Sequence, residues 1–379
     1  MKADDFYKPK IIEDFNLCGI AANTAKGGDT VKVIEKMFIS SLDEHFEQFA
    51  TNLLLQVTGG NPGASLNSIY VLIKPDKKAY VYTTYPFGNE VYLKSAVKQH
   101  RVVFESNVAD ITAVFFKDDV INLNPQKGDR LIWLFRKNWN FGLFFDLSGE
   151  LDPNEILKEL GFYYRRMSYL STYLFLEDTN NFNEMINDGW FPFVSLIGDG
   201  LDKIQSYYKG DKKDKLTIEC FVDSFDKEKI EGITSRWWGN KQFNKKKRII
   251  EAGVNSFLLD SEDGYVNAVK TLATELEGIL RISYHDDYNK TPSTKELKEY
   301  ITNMGKNKYS SIGSLCFPDK FIEYLTKYIF KGFNVESGVL PESRHTVAHG
   351  VGDDSIYNKE FALKLILTLD NIYFFMGNR

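Results

Sequence analysis

The sequence predicts an α+β protein with an antiparallel β-rich domain over residues 1–150, a helical middle region over 151–256 and an all-α helical bundle over 257–379. Three observations lead there. Short runs of β-branched and aromatic residues, parted by polar turns, fill the first region. Apolar residues at three- and four-residue steps run through the last. Between them, Asp152-Pro153-Asn154-Glu155 is a helix start, with aspartate as cap and proline at the first helical position.

The elements follow in order. Residues 42–55 predict a helix, and Thr58-Gly59-Gly60-Asn61-Pro62-Gly63 a loop. Strands are expected at 68–73, 79–84, 101–105, 111–116, 130–136 and 141–147. Lys74-Pro75-Asp76-Lys77-Lys78 and Lys137-Asn138-Trp139-Asn140 are tight connections, so at least two hairpins are expected. Helices follow at 155–176, 183–208 and 214–234; Tyr163, Tyr164, Tyr169 and Tyr173 on the first read as packing against the sheet. In the last region Val269, Leu272, Leu276, Ile279 and Ile282 mark one long helix, and Phe361, Leu365, Leu369, Ile372 and Met376 mark another over 357–376. Two short helices at 297–301 and 321–329 lie between them.

Composition narrows the function. The 379 residues, 43% of them hydrophobic, are enough for two or three cored domains. A net charge of −5 excludes a protein that coats nucleic acid over its whole surface, because such binding needs a broad positive field. The N-terminus has no apolar h-region, no run of about 18 apolar residues occurs, and the three cysteines, Cys18, Cys220 and Cys316, are scattered. These features lead to the expectation of a cytoplasmic protein with no membrane partner. Gly27-Gly28 and Gly59-Gly60 continue into neither glycine-rich phosphate motif, which rejects nucleotide binding at those glycines.

The most informative segment is Pro341-Glu342-Ser343-Arg344-His345-Thr346-Val347-Ala348-His349-Gly350. It predicts a helical turn with Pro341 or Glu342 near its first position, closed by Gly350 in the left-handed conformation. His345 and His349 then share a face, and Arg344 has to curl round to join His349. A guanidinium forks onto phosphate oxygens, and an imidazole can take or give a proton near neutrality. Two other readings stay open: histidines that cap a helix end, and a zinc site built on His345 and His349 with Asp353 and Asp354. Glu277 and Arg281 on the preceding long helix are spaced as an ion pair, or as a carboxylate that orients Arg344 or His349. Arg236, Trp237, Trp238, Lys245, Lys246, Lys247 and Arg248 interleave aromatic and cationic side chains, which fits either a strand-stacking nucleic-acid surface or a solvated loop.

The spacing Arg344-x4-His349, with polar His345 after the arginine and a Leu/Ile-rich helix following, resembles the HEPN superfamily, as does Leu276-Glu277-Gly278-Ile279-Leu280-Arg281. The resemblance covers residues 257–379. It implies a metal-independent endoribonuclease without a cofactor, in which two copies of the motif meet across a homodimer on an RNA substrate. Arg344 would be the oxyanion clamp, His349 the acid or base, and His345 a second proton carrier or phosphate ligand. The family likeness also implies an effector in phage defence or a toxin-like system, with the first domain answering to an unknown trigger. A nuclease-dead dimerising scaffold or nucleic-acid-binding module is the alternative.

Overall fold

A computed structural model describes residues 7–58, 68–209, 215–337 and 340–377 of the chain. The glycine-rich stretch 59–63 and the expected helix start at 214 lie outside the described residues. The architecture is α+β, and the chain divides into two compact units, residues 1–91 with 111–170, and residues 92–110 with 171–379. This differs from the expected three-part division. The boundary expected at 150 falls instead after the helix that starts at Pro153, and the middle and C-terminal regions form one unit.

The strands are β1 (Lys10–Ile12), β2 (Ile20–Ala21), β3 (Val33–Ile34), β4 (Lys36–Ser40), β5 (Ile69–Ile73), β6 (Ala79–Tyr82), β7 (Phe87–Leu93), β8 (Val108–Phe116), β9 (Arg130–Lys137) and β10 (Asn140–Asp146), and they belong to the first unit except for residues 92–93 of β7 and 108–110 of β8. Six of them make an antiparallel sheet in the order β1-β6-β5-β9-β10-β4. β2 with β3 and β7 with β8 form two short separate ladders. The β9–β10 hairpin turns on Asn138, whose φ of +56° is the left-handed conformation asparagine tolerates.

Strand alternation puts Ile69, Val71, Ile73, Ile132 and Leu134 on one face, against helix α1 (Phe46–Thr58) through Phe46, Ala50 and Leu53. Tyr70, Leu72, Leu131, Trp133 and Phe135 take the other face, against helix α2 (Pro153–Ser168) through Ile156, Leu160 and Met167. Asp152 caps α2, its carboxylate accepting from the amides of Asn154 and Glu155. Gly161 is needed where it stands, since a β-carbon there would come within 2.5 Å of the Ala113 backbone.

The strand expected at 101–105 is absent. Val102, Val103 and Phe104 are exposed, and the Asn107 side chain accepts the Phe104 amide to set a 3-10 turn at Glu105–Asn107. β1 and β4 went unrecognised in the sequence because they lie at the two edges of the sheet, where polar residues are tolerated and alternation is weak.

The second unit is helical: α3 (Leu170–Glu177), α4 (Thr179–Asn187), α5 (Asp199–Lys209), α6 (Lys215–Asp223), α7 (Lys227–Thr234), α8 (Lys241–Lys245), α9 (Lys247–Phe257), α10 (Glu262–Tyr288), α11 (Thr294–Lys308), α12 (Pro318–Tyr324), α13 (Arg344–Ala348) and α14 (Lys359–Met376). The helix expected over 183–208 is two, because Gly189 (φ +79°) and Gly198 (φ +91°) break it around Pro192. The helix expected over 214–234 breaks before Asp226, which caps α7. α11 is longer than expected because Ser293 and Glu296 form a capping box.

α14 is the central strut, buried on nearly every side rather than along one stripe. Its buried polar residues each have a partner, although Asn371 uses only its Oδ1, which accepts the Val194 amide at 3.1 Å, and its Nδ2 has none among the described residues. Lys364 reaches Glu360 at 2.6 Å, Thr368 pairs with Tyr324 at 2.8 Å, and Asp370 takes Arg236 and Trp237 at 2.6 and 2.8 Å.

Candidate functional site

The Arg/His segment is held at its start by side chains, not by the expected proline or glutamate entry into a helix. Ser343 is the cap of α13, its hydroxyl accepting the Thr346 amide at 3.2 Å, so the helix begins at Arg344. Glu342 lies outside it and accepts from Tyr328 and from Asn358, the latter at 3.1 Å. Val347 is buried, His349 is the exposed C-cap, and Gly350 follows at φ +66°. The segment is thus a single pinned turn that presents Arg344, His345 and His349.

α13 packs on α10, and the contact is polar. Glu277 is 4% exposed and holds two arginines: Arg281 Nε on one carboxylate oxygen and Arg344 Nε on the other, each at 2.5 Å. The Arg344 contact is close enough for an ion pair, but its N–H is poorly aligned for a hydrogen bond. Arg281 Nη1 also donates to the Pro292 carbonyl at 2.8 Å, which fixes that guanidinium. Two guanidinium charges and one carboxylate leave the cluster with a surplus of one positive charge.

Arg344 Nη1 lies 3.2 Å from His345 Nδ1. An arginine can only donate, so Nδ1 accepts and the His345 proton sits on Nε2. Burial, then the neighbouring Arg344 charge, push the His345 pKa below the usual imidazole value, with His349 and Lys298 adding to the fall and Glu277 opposing it. His345 is therefore neutral at pH 7. The His345 and His349 rings stack at 6.5 Å and 28°, and Phe330 and Phe333 flank them at 6.0 and 5.5 Å. Arg344 turns toward Glu277 and His345 and makes no hydrogen bond to His349.

This set can do two things. It can receive an anion, since Arg344 Nη2 has no acceptor among the described residues. It can also move a proton, since the exposed His349 imidazole makes no hydrogen bond among them. The flanking rings of Phe330 and Phe333 and the charge on Lys298 were not legible in the sequence, because they come from segments with no motif of their own.

Two readings from the sequence change. Among the described residues no group of three or more His, Cys, Asp or Glu could hold a metal, so His345 and His349 gain no further ligand from Asp353 or Asp354. Asp353 stands at the N-cap position of the 3-10 turn Asp354–Ile356 without a side-chain capping bond, and Asn358 caps α14 by accepting the Phe361 amide.

The interleaved stretch from Arg236 to Arg248 does not form an exposed stacking surface. Trp237 is fully buried and donates to Asp370, and Arg236 forks onto the same carboxylate. Trp238 is half-buried with Lys247 over its ring at 5.4 Å. Lys245, Lys246 and Lys247 pair with Asp286, Glu275 and Glu251, and Arg248 stays exposed. A buried carboxylate at Asp370 draws the first cation and indole inward, acids of α10 take Lys245 and Lys246, and Glu251 takes Lys247 within its own helix.

Cys316 is buried and Cys18 and Cys220 are exposed, and no helix among the described residues is long and apolar enough to cross a membrane. No protein-family model matches the chain, and comparison with curated proteins and with solved structures gave no significant match.

Proposed function

We propose that the chain is a metal-independent endoribonuclease of the HEPN type, working as a homodimer, with Arg344 and His349 at the reacting phosphate. The observation that carries this reading is the arrangement about Glu277. A buried carboxylate steadies Arg344 in a positively charged cluster while His349 stands one turn away, exposed and uncommitted.

RNA brings its own nucleophile. Its 2′-oxygen attacks the adjacent phosphorus, the P–O5′ bond breaks, and the products are a 2′,3′-cyclic phosphate and a free 5′-hydroxyl. A base takes the 2′ proton and an acid gives one to the 5′ oxygen, while Arg344 balances charge on the equatorial oxygens. One exposed imidazole serves one of these proton transfers. A two-fold axis brings a second copy of the motif to the same phosphate, which is why the reading includes a dimer. The role as an effector in phage defence or a toxin-like system rests on the family resemblance alone.

A second reading has its own support. Arg344 already spends Nε on Glu277 and Nη1 on His345, which suits a structural strut in a nuclease-dead scaffold or nucleic-acid-binding module. One experiment separates the two: incubation of RNA in EDTA with the wild type, Arg344→Ala and His349→Ala. Cleavage by the wild type that both variants lose supports the nuclease. RNA bound but left intact supports the scaffold, and equal cleavage by all three rejects the assignment of these residues.

A further inference from the structure

Away from the Arg/His cluster, a cavity of about 380 Å³ in the helical unit is lined by residues of the 92–110 segment and of α5, α6 and α7. Its volume falls in the range of small-molecule sites. Lys94 lines it and is only 9% exposed, yet no carboxylate lies within ion-pair distance among the described residues. Its ammonium donates to the Ile197 carbonyl, and its own carbonyl receives Arg236 Nη1 at 3.0 Å, which brings a second cation close. Burial and then Arg236 lower the Lys94 pKa to about 8, while Asp199, Cys316 and Asp370 act in the other direction. A buried ammonium without a counter-ion is unfavourable, and an anion from outside relieves it.

The same wall carries a second unmet group. Ser195 Oγ is buried without a hydrogen-bond partner among the described residues. Lys203, exposed on α5, and Lys229 on α7 add positive charge, although Lys229 also donates to the Ser224 carbonyl at 2.5 Å. Of the charged lining residues, Lys94, Lys203 and Lys229 are cations and Asp199 is an anion, so three minus one leaves a surplus of two. A phosphate monoester carries about −1.5 to −2 at neutral pH and offers three acceptor oxygens, whereas a single carboxylate carries one charge and two. The Phe221 ring lines the apolar part of the wall, and the Gly232 position opens on space, since a β-carbon there would meet nothing within 4 Å.

We propose that this cavity binds a small phosphorylated molecule, with the phosphate received by Lys94, Ser195 and Lys203 and the remainder of the ligand lying against Phe221. The site involves none of Arg344, His345 and His349, so it is independent of the nuclease reading. It uses side-chain cations and hydroxyls in place of a glycine-rich phosphate loop.

Calorimetry at fixed ionic strength tests it with inorganic phosphate, ribose 5-phosphate and adenosine 5′-monophosphate as separate probes, and with acetate for comparison. The full-length wild type is expected to bind the phosphates and not acetate. Lys94→Gln and Lys203→Glu should each weaken phosphate binding at least tenfold, and Lys295→Gln, at an exposed lysine that does not line the cavity, should leave it unchanged. Should Lys94→Gln fail to fold, Lys203→Glu decides the point, because that side chain is exposed. Gly232→Phe fills the open space without removing a charge, and is expected to weaken the two organic phosphates at least tenfold while sparing inorganic phosphate. Tighter binding of the organic probes identifies an organic ligand, and tighter binding of inorganic phosphate identifies the free ion; both support the site. Absence of phosphate binding by the wild type, or binding that survives both lysine changes, overturns the proposal.

Discussion

Glu277 and Arg344, on α10 and α13, meet at 2.5 Å in a largely buried ion pair that ties the long helix to the Arg/His turn. Glu277 also holds Arg281 at the same distance, so one carboxylate sets the position of two guanidinium groups. A buried acid is costly without partners, and here each oxygen has a cation. The pairing leaves Arg344 oriented but one donor nitrogen unspent.

Glu277→Gln keeps the shape and removes the charge. The expected result is a folded protein destabilised by about 1–3 kcal/mol, with RNA cleavage reduced because Arg344 is no longer held. Urea unfolding and a cleavage assay on the same preparation measure both. Wild-type cleavage in a folded Glu277→Gln variant would confine any active site to residues 344–349.

His349→Ala separates chemistry from stability. The ring is exposed and makes no hydrogen bond among the described residues, so its loss should change stability by no more than about 0.5 kcal/mol. Cleavage should fall by roughly 10²–10⁴-fold if the ring carries a proton in the reaction. A thermal melt matching the wild type beside unchanged cleavage would remove His349 from the mechanism.

The depressed pKa of His345 gives a signed pH effect. Its folded pKa lies below the unfolded value of about 6.5, so the unfolded chain binds more protons in the window between the two. Stability should therefore rise with pH through that window and be lost as pH falls through it. Unfolding free energies measured from pH 7.5 down to 5 are expected to drop more steeply for the wild type than for His345→Gln. Parallel profiles would mean that neither burial nor the Arg344 charge depresses this ring's pKa.

Asp370 anchors a second buried network, with Arg236 on both oxygens and Trp237 on one. Asp370→Ala strands both donors in the interior. The expected loss is about 3–5 kcal/mol, measured by denaturant midpoint, with far-UV circular dichroism showing whether the helices persist. A loss under about 1 kcal/mol would show that water replaces the carboxylate at no great cost.

Local chemistry was enough to read much of this chain. Asp152 before Pro153, the Asn138 turn, and the apolar repeats from Val269 to Ile282 and from Phe361 to Met376 each rest on contacts within a few residues. For the same reason the sequence identified the central strands β5, β6, β9 and β10, which carry their own apolar alternation, and missed the edge strands β1 and β4, which borrow order from a neighbour. The candidate site divides along the same line. Arg344, His345 and His349 stand together in the sequence, and so do Glu277 and Arg281, but whether the second pair faces solvent or the first group depends on how α13 packs on α10. The stretch from Arg236 to Arg248 makes the opposite point. Its alternating rings and cations suit a nucleic-acid surface or a buried network equally well, and Asp370, far along the chain, draws Trp237 into the core. Burial and ion pairing between distant segments depend on the whole packed interior, so they enter only when the chain has folded.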